Sequence, residues 1–327
     1  MGCKRSAAVA AAMVVGLVSP VLASTANASV VGGYTWAEQT VFALSPTGSY
    51  VAEWMGTPQK WTIIGGPASH VYAGSAGVFA TDPNTGDIFE YNGTPGSWTA
   101  IGGPGDEFVE GGGHLYGLAP DRSYVAEWNG TPGSWTIIGG GSTGIYAGPY
   151  GLVATGAIMS SEDLWHYNGT PNSWTDIGAP NDSIYSDTAI AVGSSAVYRI
   201  DTGATTVEEW TGGTTWTPIL NVSSSDELDG LIAGNDGVYI DDSNAYYRTY
   251  LKYSGTPNSW SAITPMISSG ADDAVLPIVE SGTSLYGGTV ALIRPEDFIN
   301  DVDIYSGTGT TWISIGGPAD PALGAGD

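Results

Sequence analysis

The sequence predicts an all-β ring of short-stranded repeats, and three observations carry that prediction. An aromatic residue, a Gly two positions later and then a Trp recur seven times. The recurrence has a period of about 40 residues, and no sustained helical pattern follows residue 28. The two ends hold complementary fractions of one repeat. Together these specify a seven-bladed β-propeller of four-stranded antiparallel blades, closed by the N-terminal and C-terminal strands in one blade.

The Trp positions are 61, 98, 135, 174, 216, 260 and 312, spaced by 37, 37, 39, 42, 44 and 52 residues. Their aromatic partners are Trp54, Tyr91, Trp128, Tyr167, Trp210, Tyr253 and Tyr305. One unit, residues 93–130, shows the pattern. Residues 97–101 form a first run, 107–111 a second, 114–118 a third and 123–128 a fourth. Each is rich in β-branched or aromatic residues and bounded by Gly, Pro, Asn or Asp. The fourth run is joined to the next Trp by an Asn-Gly-Thr-Pro-x-Ser linker, as at Asn92 and Asn129. Asn-Gly supplies positive φ for a tight hairpin, which lets the partner face the Trp across it. The second run holds small residues, as at 72–74, 146–148, 191–193 and 232–234, which suits strands crowded around an axis. Residues 29–33, 40–45 and 49–54 supply second, third and fourth runs, and 311–316 a lone first run. The expectation is that 311–316 completes the sheet of 49–54 and so removes both edges.

Residues 1–28 read as a secretory leader rather than as fold. Lys4 and Arg5 precede an apolar run, and Ala26-Asn27-Ala28 forms a cleavage site. Cleavage after Ala28 leaves a propeller over 29–318 and a flexible tail over 319–327. It also removes Cys3, the single cysteine, so stability must come from the core. The chain left has 6 basic against 33 acidic residues, a formal charge of −27. Such a charge argues against nucleic acid and anionic membranes as partners, and no later run is apolar enough for membrane insertion.

The run Trp-x-x-Ile-Gly-Gly, a short Tyr-Ala-Gly strand and a final aromatic strand resemble the tectonin and tachylectin-2-like propeller lectins. The resemblance spans about residues 30–317 and implies a bacterial, secreted, carbohydrate-binding protein. No sugar-binding motif of that family transfers residue by residue, and the Asn-Gly-Thr-Pro linker is a departure from it.

Catalytic patterns are scarce. His70, His114 and His166 are the three histidines, and none belongs to a nucleophile or metalloprotease motif. Asp82-Pro-Asn-Thr-Gly-Asp87 holds several oxygen ligands, as some calcium loops do, but it lacks the terminal Glu and also reads as a hairpin turn. No cofactor is expected. Asn92, Asn129, Asn168 and Asn221 fit the glycosylation triplet, and turn chemistry accounts for the first three.

The candidate sites come from the residue before the aromatic partner. Glu53-Trp54, Glu90-Tyr91 and Glu127-Trp128 end the three most regular units, with Trp61, Trp98 and Trp135 as stacking faces. A carboxylate beside a ring suits a sugar's hydroxyls and CH face. The same Glu residues also fit an ordinary half-exposed strand, and the Trp residues fit packing. Three functions compete: a non-enzymatic lectin with several shallow sites, a secreted scaffold binding protein partners, and an enzyme at the central channel. The small residues of the second runs weigh against the last.

Overall fold

The computed structural model describes residues 30–31, 34–35, 41–45, 47–156, 163–178, 190–201, 203–223, 226–234, 237–244, 247–264, 267–268, 278–281, 289–296 and 299–316. The leader, its cleavage site and the 319–327 tail lie outside them. Every regular element among the described residues is a strand. Blade 1 shows Phe42–Leu44, Val51–Trp54 and Trp61–Gly65. Blade 2 is Val71–Gly74, Gly77–Thr81, Asp87–Tyr91 and Trp98–Pro104. Blade 3 is Glu107–Gly111, His114–Leu118, Val125–Trp128 and Trp135–Gly139. Blade 4 is Gly144–Gly148, Gly151–Thr155, Leu164–Thr170 and Ser173–Gly178. Blade 5 is Ile190–Val192, Val197–Ile200, Thr206–Gly212 and Thr215–Asn221. Blade 6 is Asp226–Ala233, Val238–Asn244, Tyr247–Thr256 and Ser259–Ala262, with Ile267–Ser268 added against Tyr247 and Arg248. Blade 7 is Ile278–Ser281, Thr289–Glu296, Ile299–Tyr305 and Trp312–Gly316. Each sheet is antiparallel and runs in chain order.

The seven-bladed architecture follows the repeat, but its closure differs from the sequence expectation. Trp312–Gly316 pairs with Ile299–Tyr305 of its own blade, placing Trp312 opposite Tyr305. Trp61–Gly65 likewise completes blade 1. The reason is local: the tight hairpin ties each Trp run to the run before it, so the Trp strand ends a blade rather than opening one. Val30–Val31 pairs with Tyr34–Thr35 as a separate ladder, not with Phe42–Leu44. The ring therefore closes face to face. Val41, Ala43 and Trp54 of blade 1 pack on Ile304 and Ile315 of blade 7.

The Trp-x-x-Ile motif is the joint between blades. In six blades the ladder skips the Ile, so that Ile64, Ile101, Ile138, Ile177, Ile219 and Ile315 each sit in a β-bulge. A bulge frees the backbone from its own sheet. Each Ile side chain is fully buried, worth about 1.5–3 kcal/mol. Each carbonyl then accepts the indole N–H of the next blade's Trp. The seven bonds run Trp98 to Ile64, Trp135 to Ile101, Trp174 to Ile138, Trp216 to Ile177, Trp260 to Ile219, Trp312 to Ile263 and Trp61 to Ile315, at 2.6–3.1 Å. At five joints a hairpin N–H adds a second bond to the same oxygen, from Gln59, Gly96, Gly133, Asn172 or Asn258. The Gly after the Ile makes room for the indole: a Cβ on Gly102 would lie 2.8 Å from Trp135 Nε1.

The small-residue runs at 72–74, 146–148, 191–193 and 232–234 lie on the first strands of blades 2, 4, 5 and 6, as expected, whereas Val31 belongs to a separate ladder; first strands of neighbouring blades touch around the axis. A Cβ at Gly148 would collide with the Val192 carbonyl of the next blade.

Candidate functional site

The residue before the aromatic partner occupies one position in every blade. It lies on the third strand, between a second-strand residue and an outer-strand residue. The cross-blade rows are Phe42-Glu53-Thr62, Phe79-Glu90-Thr99, Tyr116-Glu127-Thr136, Val153-His166-Thr175 and Tyr198-Glu209-Thr217. In blades 1, 3, 4, 5, 6 and 7 its side chain comes near the aromatic partner of the following blade. Glu127 Oε2 lies 3.5 Å from Tyr167 Oη, and the His166 ring centre lies 5.5 Å from that of Trp210. Lys252 Nζ lies 5.9 Å from the Tyr305 ring centre, and Ile304 packs with Trp54. The Glu53 charge, after burial, helps hold the Tyr91 phenol above its usual range. These positions therefore lie at the junctions between blades, near the hairpins that join the third and outer strands.

The three sequence-proposed sites share this backbone frame but not one chemical state. Glu53 and Glu90 are half-buried, and no donor reaches either carboxylate among the described residues. Burial alone raises both carboxyl groups above their ordinary value. Their second-strand neighbours, Phe42 and Phe79, have no hydroxyl to offer. Glu127 is engaged: His114 Nδ1 lies 2.6 Å from its Oε1.

The rings are also placed. Register sets Trp54 opposite Trp61, Tyr91 opposite Trp98 and Trp128 opposite Trp135. The Tyr91 and Trp98 ring centres are 5.1 Å apart. Trp61, Trp98 and Trp135 are half-buried and give their N–H groups to the joints already described, leaving only ring surface for a ligand. Trp54 is 2% exposed and donates to Thr57 O, while Trp128 donates to Thr131 O in the same kind of turn.

Two other motifs resolve into turn chemistry. Asp82 Oδ1 accepts the N–H groups of Asn84 and Thr85 at 2.8 and 2.9 Å, which holds its carboxyl below the usual range. Asn92 donates to Ser97 Oγ at 3.0 Å and accepts from Thr99 Oγ1 at 3.1 Å. Asn129 and Asn168 repeat that pattern. This explains the Asn-Gly-Thr-Pro-x-Ser-Trp-Thr linker as a hairpin clamp.

Sequence reasoning missed one cluster. Tyr150, at the tip between the first two strands of blade 4, packs on His166 and Trp210. The signal was present: the matching tips carry Ser75-Ala76, Gly112-Gly113 and Ser194-Ser195, whereas blade 4 has Pro149-Tyr150 and His in place of Glu.

No family model matches this sequence, and no curated protein does either. Solved structures do resemble it. A GH74 xyloglucanase from Xanthomonas campestris has a TM-score of 0.49 at 12% identity, over 85% of this chain and 46% of that one. YCF48 from Cyanidioschyzon merolae has a TM-score of 0.47 at 12% identity, over 80% of this chain and 88% of that one. YCF48 bound to D1 peptide scores 0.38 at 10% identity, over 85% and 79%. At these levels the likeness carries no functional argument, and the propeller assignment rests on the seven sheets and their joints.

Proposed function

We propose that this chain is an exported, non-enzymatic carbohydrate-binding propeller with shallow sites at the junctions between successive blades. The observation that supports it most is the pair Glu53 and Glu90. Each is a half-buried carboxylate without a donor among the described residues, repeated at the same register position in adjacent blades, and Glu53 is close enough to Tyr91 for its charge to act on that phenol. A carboxylate drawn partly out of water and lacking a protein donor is open to a ligand hydroxyl, which can donate to it. Weak equivalent sites on one ring gain from multivalency. The non-enzymatic reading is supported near the axis, where blade 3's inner carboxylates bond neighbouring backbone: Glu110 accepts from Ala76 N at 2.8 Å and Glu107 from Ile145 N at 3.0 Å. Export is supported by the leader alone.

A glycan array with the wild type and the double variant Glu53→Gln/Glu90→Gln tests this. The variant should lose at least about tenfold in apparent affinity for the preferred glycan. Glu127→Gln should matter less, because His114 already holds that carboxylate. Unchanged binding by the double variant would make Glu53 and Glu90 ordinary strand residues.

A further inference from the structure

We infer that the junction between blades 4 and 5 holds a second kind of carbohydrate site, in which Tyr150, His166 and Trp210 form an aromatic platform for the apolar face of an uncharged pyranose. This rests on the lectin reading but uses none of its Glu residues. The ring centres of Tyr150 and His166 are 5.3 Å apart and their planes are tilted by 36°. His166 and Trp210 are 5.5 Å apart at 37°, and Tyr150 and Trp210 are 6.3 Å apart at 70°. Rings this close touch one another, so nothing is caged between them and a ligand lies across their outer surface. Tyr150 is 40% exposed. Its backbone N–H bonds Gly193 O of blade 5 at 2.8 Å, which fixes the tip that presents it. The Trp210 N–H is taken by Gly213 O at 2.8 Å and its ring packs in part on the core of blades 4 and 5, so a ligand meets the part of the side chain that stays accessible.

The surroundings select the ligand class. Burial holds the His166 imidazole below its usual value, so the platform is uncharged at neutral pH. The other large exposed hydrophobics among the described residues, Met55, Ile63, Tyr124 and Ile137, lie on blades 1 and 3. A standard protein interface buries on the order of 800 Å² per partner in all, far more than one aromatic island provides. The strongly negative formal charge, −27 once the leader with Lys4 and Arg5 is removed (6 basic against 33 acidic residues), disfavours acidic sugars.

Tryptophan fluorescence titrations with cello-, chito-, manno- and galacto-oligosaccharides test the platform in the Glu53→Gln/Glu90→Gln background. That variant should still bind one of these sugars. Adding Tyr150→Ala should weaken the remaining binding by at least about tenfold, and Tyr150→Phe should keep it. Circular dichroism checks that the exposed substitution leaves the fold intact. Unchanged binding on adding Tyr150→Ala overturns the platform, as does a double variant that binds nothing. Wild-type binding lost through Tyr150→Ala but untouched by the Glu changes keeps the platform and removes the Glu sites. A wild type that binds none of these sugars, on this panel or on the array, removes both.

Discussion

Glu53 and Glu90 carry charges that the folded chain does little to hold. Burial favours their protonated forms, so their folded pKa values lie above the unfolded value of 4.5. The sign follows: relative to the unfolded chain, any stability these groups contribute is complete below pH 4.5 and is lost as pH rises through the raised values. At pH 7, Glu53→Gln and Glu90→Gln should each raise Tm by about 1 °C, a small gain because both side chains still meet water. Scanning calorimetry at pH 7 and again below pH 4 should show the gain vanish in acid. A lowered Tm at pH 7 would mean that the carboxylates are held by donors. The Glu positions themselves were legible in the sequence as a recurrent residue before the aromatic partner. Which of them lacked a donor was not, because that depends on His114 crossing to Glu127 from the neighbouring strand, and on Phe rather than Tyr at 42 and 79.

At the scale of one strand, the outer Trp run combines a hairpin, a bulge and a latch. The hairpin could be read from Asn92, Gly93 and Ser97, whose side chains and φ preferences act within a few residues. The bulge at Ile101 could not, since Trp-x-x-Ile-Gly reads the same whether or not the ladder skips a residue. Only Gly102 records it, through the indole that fills the space a side chain would need. The latches should differ in strength. Ile64 O accepts from both Gly96 N and Trp98 Nε1, whereas Ile177 O receives Trp216 Nε1 without a hairpin partner among the described residues. Trp98→Phe should therefore cost about 0.5–1.5 kcal/mol beyond the loss of ring area, and Trp216→Phe about 1–3 kcal/mol, because the latter orphans a buried carbonyl. Urea titrations should order the two midpoints that way, and the reverse order would show that the indole bond is not what joins blades.

For the whole molecule, blade number was legible and closure was not. A Trp run can begin one sheet or end the previous one without changing the periodicity of the sequence, and only the short hairpin to Tyr305 decides it. Closure by packed faces still makes the last strand structural. Deleting residues 311–327 removes Trp312 and the buried Ile315, and leaves Trp61 and Gln59 without their acceptor. With about 1.5–3 kcal/mol for each large apolar group exposed, Tm should fall on the order of 10 °C. A truncated chain that melts like the full one would rule out this contact as the closure.

The joint between blades 7 and 1 has a consequence for how the chain is threaded. It is held by the same indole-to-carbonyl bond as the six joints that the backbone also spans, so covalent continuity adds no special chemistry to any of them. Each blade is a tile whose two faces complement its own kind. What defines the molecule is the cyclic order of the tiles rather than the tile with which the polypeptide starts. Moving the ends of the chain to another boundary between blades would leave all seven indole-to-carbonyl bonds in place.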